Sequence, residues 1–139
     1  MDAEEKRRGK LWHFVTRYDL VTKWNEVGLD LLRSKPAVVD GVVFVGSWDK
    51  KVYALHAANG SELWHFETGD CVESSPAVAD GVVFVGSWDK KLHAVDAATG
   101  EAKWTYATGA AVHSSPAVAD GVLFVGSDDA KLHAVSLGE

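Results

Sequence analysis

The sequence predicts an all-β fold, a β-propeller made of four-stranded blades of about forty residues, with about three blades per chain. Three observations carry this. A forty-residue unit recurs in phase, with 25 identities in 40 between residues 37–76 and 77–116, and 16 in 23 between 77–99 and 117–139. A repeat of that length is one supersecondary unit that must stack on its copies to bury its faces. Each unit divides into four short apolar runs separated by turn residues, which is an antiparallel meander. The second run, Val82-Val83-Phe84-Val85, is apolar at every position, so both faces of its sheet need cover. Identical sheets stacked face to face around an axis supply that cover.

The middle unit shows the elements in order. Ser74 to Ala79 is a short strand after small residues. Asp80-Gly81 is a hairpin signal between apolar runs. Val82 to Ser87 is a β-branched and aromatic strand, Trp88-Asp89-Lys90 the next turn, and Lys91 to Asp96 the third strand. Ala97 to Gly100 turns again, and Glu101 to Thr108 is the fourth strand.

The stretch Ala94-Val95-Asp96-Ala97-Ala98-Thr99-Gly100-Glu101-Ala102-Lys103-Trp104 resembles the tryptophan-docking motif of the PQQ-like propeller repeats, Ala-x-Asp-x-x-Thr-Gly-x-x-x-Trp. Ala54 to Trp64 is a looser copy, with His56 and Asn59 in place of Asp and Thr. The resemblance covers about 37–136 and implies that Trp64 and Trp104 lie on outermost strands and pack against the neighbouring blade. For catalysis the resemblance implies PQQ, calcium, a catalytic aspartate and often a vicinal disulfide. The chain has a single cysteine, Cys71, and its repeated Asp49, Asp89 and Asp129 are explained as turn residues. The expectation is a protein that is not an enzyme, with no cofactor and no metal.

The ends extend the pattern. Leu11-Trp12-His13-Phe14-Val15-Thr16 matches Leu63-Trp64-His65-Phe66-Glu67-Thr68 at five of six positions, so 10–16 reads as an orphan fourth strand. The last unit stops after its third strand. The expected organisation is a closing strand at 1–16, an inserted segment at 17–35, and blades at 36–75, 76–115 and 116–139. Tyr18, Val21, Trp24, Val27 and Leu31 recur at helical spacing and predict a short helix over 19–32. A rival phase, with Trp24 equivalent to Trp64, would make 1–36 a degraded repeat. Three blades are too few to close a ring. The expected partner is therefore a second copy, in a homodimer forming one six-bladed ring, with Leu11, Trp12, His13 and Phe14 as assembly residues.

Bulk chemistry narrows the other partners. The formal net charge is −6 over 139 residues, which disfavours nucleic acid. No apolar run approaches a membrane span. The N-terminus carries no secretory signal, which points to the cytoplasm unless a leader has been removed. No His/Cys/Asp/Glu spacing reads as a metal motif. His93 and His133 recur at one strand position, with Tyr53 as their counterpart, and read as packing.

Two places differ between repeats and so are candidate ligand or partner sites. One is the rim of the axis, where Arg33, Glu73 and His113 are equivalents and Lys35 replaces Ser75 and Ser115. The other is the turn carrying Trp48 and Trp88, replaced by Asp128 in the last unit. The leading expectation is a non-enzymatic binding and assembly scaffold that takes a protein or peptide. A small-ligand or carbohydrate-binding module and a designed or truncated repeat protein stand as alternatives, with a PQQ-dependent dehydrogenase last.

Overall fold

A computed structural model describes residue 12 and residues 34–138. Those residues form eleven strands in three antiparallel sheets. Blade 1 holds β1 (Ala37–Val39), β2 (Val42–Gly46), β3 (Lys51–His56) and β4 (Glu62–Glu67), in that spatial order. Blade 2 holds β5 (Ala77–Ala79), β6 (Val82–Gly86), β7 (Lys91–Asp96) and β8 (Ala102–Ala107). Blade 3 holds β9 (Ala117–Ala119), β10 (Val122–Gly126) and β11 (Leu132–Ser136). The arrangement is a partial β-propeller, as the repeat predicts. The helix expected over 19–32 lies outside the described residues.

The turns follow from residue type. Asp40-Gly41, Asp80-Gly81 and Asp120-Gly121 all have positive φ at both positions, between 50° and 76°. Such type I′ geometry matches the strand twist, and Asp-Gly is among the pairs that tolerate it. The innermost strands begin at Ala37, Ala77 and Ala117, three residues later than the serine that opens each run. The reason is local. Ser34, Ser74 and Ser114 use their Oγ to accept the amides of Gly46, Gly86 and Gly126 at 2.8, 3.1 and 2.8 Å, so the side chain substitutes for a ladder bond. Around the axis, Lys35 N donates to Ser75 Oγ at 2.7 Å and Ser75 N to Ser115 Oγ at 2.9 Å, linking one blade to the next.

Two apolar layers lie between the blades. Phe44, Val52, Ala54 and Trp64 of blade 1 meet Val83, Val85 and Val95 of blade 2. Phe84, Leu92 and Ala94 of blade 2 meet Leu123 and Val125 of blade 3. Trp64 closes the first layer from its rim: its indole Nε1 donates to Ala97 O at 3.0 Å. Trp12 makes the same bond to Ala57 O at 2.9 Å and packs with Val45, Tyr53 and Leu55. Those three are the equivalents of Val85, His93 and Val95, so Trp12 stands to blade 1 as Trp64 stands to blade 2.

Blade 3 is covered on one face. Its β11 alternates between exposed and half-buried positions. Phe124 is 38% exposed and Leu132 75%, whereas their equivalents Phe84 and Leu92 are at 3% and 0%. Among the described residues no strand pairs with the outer edge of β11.

Candidate partner-binding face

In a four-stranded meander, the β2–β3 turn and the link from β4 to the next blade leave the sheet at the same end. The two candidate places therefore share one face, and the structure joins them into one cluster. Trp48 and Trp88 meet across the seam of blades 1 and 2, with ring centroids 5.1 Å apart at 61°. His113 stacks on Trp88 at 4.9 Å and 30°. His113 Nδ1 lies 3.3 Å from Glu73 Oε1, and its Nε2 lies 3.1 Å from Asp128 Oδ2. The residue that replaces the third tryptophan is thus an acidic partner for the histidine beside the second. Both tryptophans are half-buried, and the indole nitrogen of Trp88 is covered with no hydrogen-bond partner among the described residues. Lys35 lies exposed on the axis side. Arg33, Leu11, His13 and Phe14 lie outside the described residues.

This cluster presents two indoles, an imidazole and two carboxylates on one face. Its carboxylates are exposed enough to accept from an incoming donor, and its rings offer rigid apolar area at low entropic cost. Such a surface suits recognition.

The repeated Asp and His residues have another role, which the sequence showed in half. Asp89 Oδ1 accepts from Lys91 N at 3.0 Å, the expected turn bond. Its Oδ2 accepts from Gly69 N of the preceding link at 2.9 Å and from His93 Nε2 at 2.7 Å. Asp129 repeats this with Lys131 N, Gly109 N and His133 Nε2, each at 3.0 Å. In blade 1 Tyr53 takes the place of the histidine and its hydroxyl donates to Asp49. Each aspartate therefore ties a turn, a third strand and, in blades 2 and 3, the previous blade. Burial works against ionisation of Asp89. The bonds from His93, Gly69 and Lys91 outweigh it and hold the carboxyl below the usual range. For Asp129 the amide of Gly109 is the main cause of a shift in the same direction.

The repeated aspartates Asp49, Asp89 and Asp129 are engaged by turn amides and by tyrosine or histidine, so these three do not offer a free ligand set for a calcium-held PQQ. Among the described residues no cluster of three or more His, Cys, Asp or Glu could hold a metal. Cys71 is half-buried, and burial, reinforced by Asp70, pushes its thiol above its ordinary value. That is the opposite of an activated nucleophile.

Trp12 and Trp64 seat on blades 1 and 2, whereas Trp104, expected to dock on blade 3, is 37% exposed and meets Phe84 of its own blade. Stacked sheets on a forty-residue repeat define a β-propeller of the PQQ-like repeat type. The chain belongs to the family described as outer membrane protein assembly factor BamB, whose model matches residues 3–139. No curated protein matches the sequence. Among solved structures, the quinohemoprotein alcohol dehydrogenase ADHIIG of Pseudomonas putida HK5 is similar at 30% identity and a TM-score of 0.68, over 78% of this chain and 20% of that one. BamB from Moraxella catarrhalis is similar at 24% identity and 0.66, over 73% and 32%. The computationally designed protein Ika4 is similar at 19% identity and 0.63, over 74% and 64%. The last two likenesses concern the fold. The chain spans less than two thirds of each of these proteins.

Proposed function

We propose that this protein is a non-catalytic propeller scaffold that joins with a second copy and offers the Trp48–Trp88–His113 face to a protein or peptide. The seat of Trp12 on blade 1 is the observation that carries the reading. Trp12 occupies the place of a fourth-strand tryptophan from a blade preceding blade 1. The described blade with an open fourth-strand edge is blade 3, which sits beyond blade 2 and on the wrong side to use Trp12 of its own chain. A second copy resolves this: its segment 10–16 pairs with β11, and its blade 1 stacks on Phe124 and Leu132. Two such exchanges close a six-bladed ring. An unpaired edge beside exposed apolar residues favours association in any case.

The family's description, an assembly factor, favours a binding role over a redox one. The use of Asp89, Asp129, His93 and His133 in joining blades supports the same choice. Sedimentation or light scattering of the purified chain tests the assembly. The expected mass is twice the 15.0 kDa of one chain, falling to one chain when Trp12 is changed to Ala. A monomer at micromolar concentration would overturn it. Tryptophan fluorescence against a peptide library, with Trp88→Ala as the control, tests the face.

A further inference from the structure

The end of the molecule opposite the tryptophan face has a cleft that the repeat alone does not foretell. It lies between blades 1 and 2, has a volume of about 680 Å³, and is floored by Val42, Phe44 and Val78. Asp40, Asp80 and Asp96 stand around it with a single cation, Lys103. That volume falls within the range of small-molecule sites.

The two seams differ at several lining positions, and position 97 is the one that bears most directly on the space between the blades. Ala97 lies at the wall of this cleft. Its equivalent forty residues on is Leu137, which packs against the layer between blades 2 and 3. The larger side chain takes up space in the second seam that Ala97 leaves free in the first. The backbone at 97 is held rigidly, since its carbonyl accepts the Trp64 indole. The wall is thus preformed and does not need to order on binding.

The charges around the cleft are unequal. Asp96 is committed: its Oδ1 accepts from Ala98 N and Thr99 N at 2.9 and 3.1 Å, and its Oδ2 faces Lys103 Nζ at 3.9 Å. Asp40 and Asp80 form no side-chain hydrogen bond or ion pair among the described residues. Two carboxylates without a partner among the described residues, beside an apolar floor, complement a ligand with an apolar body and a positive end.

We propose that the cleft between blades 1 and 2 is a binding site for an amphiphilic organic cation, an alkyl or aryl ammonium whose body lies on Val42, Phe44 and Val78 and whose charge meets Asp40 and Asp80. The site lies within one chain and does not depend on the association proposed above. The probe is hexylamine, which is cationic at neutral pH, with hexanol and hexanoate for comparison, followed by amide NMR. Hexylammonium should give saturable shifts at Gly81, Ala97 and Ala98 and bind at least tenfold more tightly than hexanol, with hexanoate weakest. Ala97→Leu should weaken all binding at least tenfold, and Leu137 shows that the fold accepts leucine at this position. The Asp40→Asn/Asp80→Asn double variant, altered at exposed turns, should lose the preference for the amine and keep the affinity for hexanol. Shifts that do not saturate, equal binding of amine and carboxylate, or unchanged binding to Ala97→Leu would each overturn the proposal.

Discussion

Phe66 lies edge-on to His93, with ring centroids 5.7 Å apart and an interplanar angle of 61°. Tyr106 holds the same relation to His133 in the next seam, at 5.5 Å and 70°. At this pair the two seams differ by one hydroxyl. Tyr106 Oη lies 3.0 Å from His133 Nδ1, whose Nε2 proton goes to Asp129, so the hydroxyl donates to the free lone pair. His93 uses its Nε2 in the same way on Asp89, and its buried Nδ1 has no partner among the described residues. Phe66→Tyr should supply the missing donor. A buried hydrogen bond contributes about 0.5–1.5 kcal/mol net, so the urea midpoint should rise accordingly. Tyr106→Phe should lower it by a similar or larger amount. A neutral or destabilising Phe66→Tyr would show that the second seam is not a template for the first.

Acid stability should depend on Asp89. Its folded-state pKa lies below the ordinary aspartate range because His93, Gly69 and Lys91 favour the carboxylate over the opposing effect of burial. A depressed pKa contributes stability that is complete above the unfolded value and is lost as pH falls through the folded one. Hydrogen bonds to a charged group contribute about 1.5–3 kcal/mol each at the upper end, and the asparagine side chain keeps part of them. Asp89→Asn should therefore cost on the order of 1–2 kcal/mol at pH 7. The difference from the parent should shrink as pH falls below the ordinary aspartate range of about 3.9 and be lost as it falls through the lower folded-state value. Denaturant unfolding across pH 2–7 reads this directly. A difference independent of pH would mean that packing, not the charge, is what the substitution disturbs.

Gly100 combines two constraints that Gly81 separates. Both have positive φ, 79° and 75°. A Cβ at Gly81 would meet open space, whereas one at Gly100 would lie 2.7 Å from Trp64 Cδ2. Gly81→Ala should pay only the backbone cost, about 1 kcal/mol. Gly100→Ala should cost roughly 2–3 kcal/mol more, since it must lift the indole from its seat and break its bond to Ala97. The same experiment at Gly60 probes Trp12, whose indole also covers that glycine. Equal costs at 81 and 100 would mean that the tryptophan yields freely.

The blades were legible because each depends on local chemistry: Asp-Gly for the turns, β-branched runs for the strands, and a forty-residue period for the stacking. The site was less so. Trp48 and Trp88 were visible as one pair and Glu73 and His113 as another, but their union depends on the ends at which two different connections leave the sheet. Counting turns in the meander would have placed all four together. The partner of His113 was hidden for another reason, since Asp128 looked like the loss of a tryptophan and in fact places a carboxylate 3.1 Å from the imidazole. Asp89 and Asp129 were read as turn residues, which accounts for Oδ1. The Oδ2 contacts reach back twenty positions to Gly69 and Gly109 and needed the stacked blades to be seen. The cleft at Ala97 involves departures from the repeat, Leu137 among them, where periodicity draws the eye to what is shared.

Leu132 tests the open face of blade 3 without disturbing the interior. At 75% exposure it has little to lose within one chain, so Leu132→Glu should leave the unfolding free energy of the monomer within about 0.5 kcal/mol. Its equivalent Leu92 is fully buried, and Leu92→Glu should unfold the protein. In a two-fold ring Leu132 is buried twice. Burial of a leucine side chain contributes about 1.5–3 kcal/mol, so loss of two such contacts weakens association by about 3–6 kcal/mol, or roughly two to four orders of magnitude in Kd. Two buried carboxylates would add to this. Leu132→Glu should therefore sediment as a folded single chain at concentrations where the parent is a dimer. A dimer that survives the substitution would place the interface elsewhere, and blade 3 would then need another cover for Phe124 and the edge of β11.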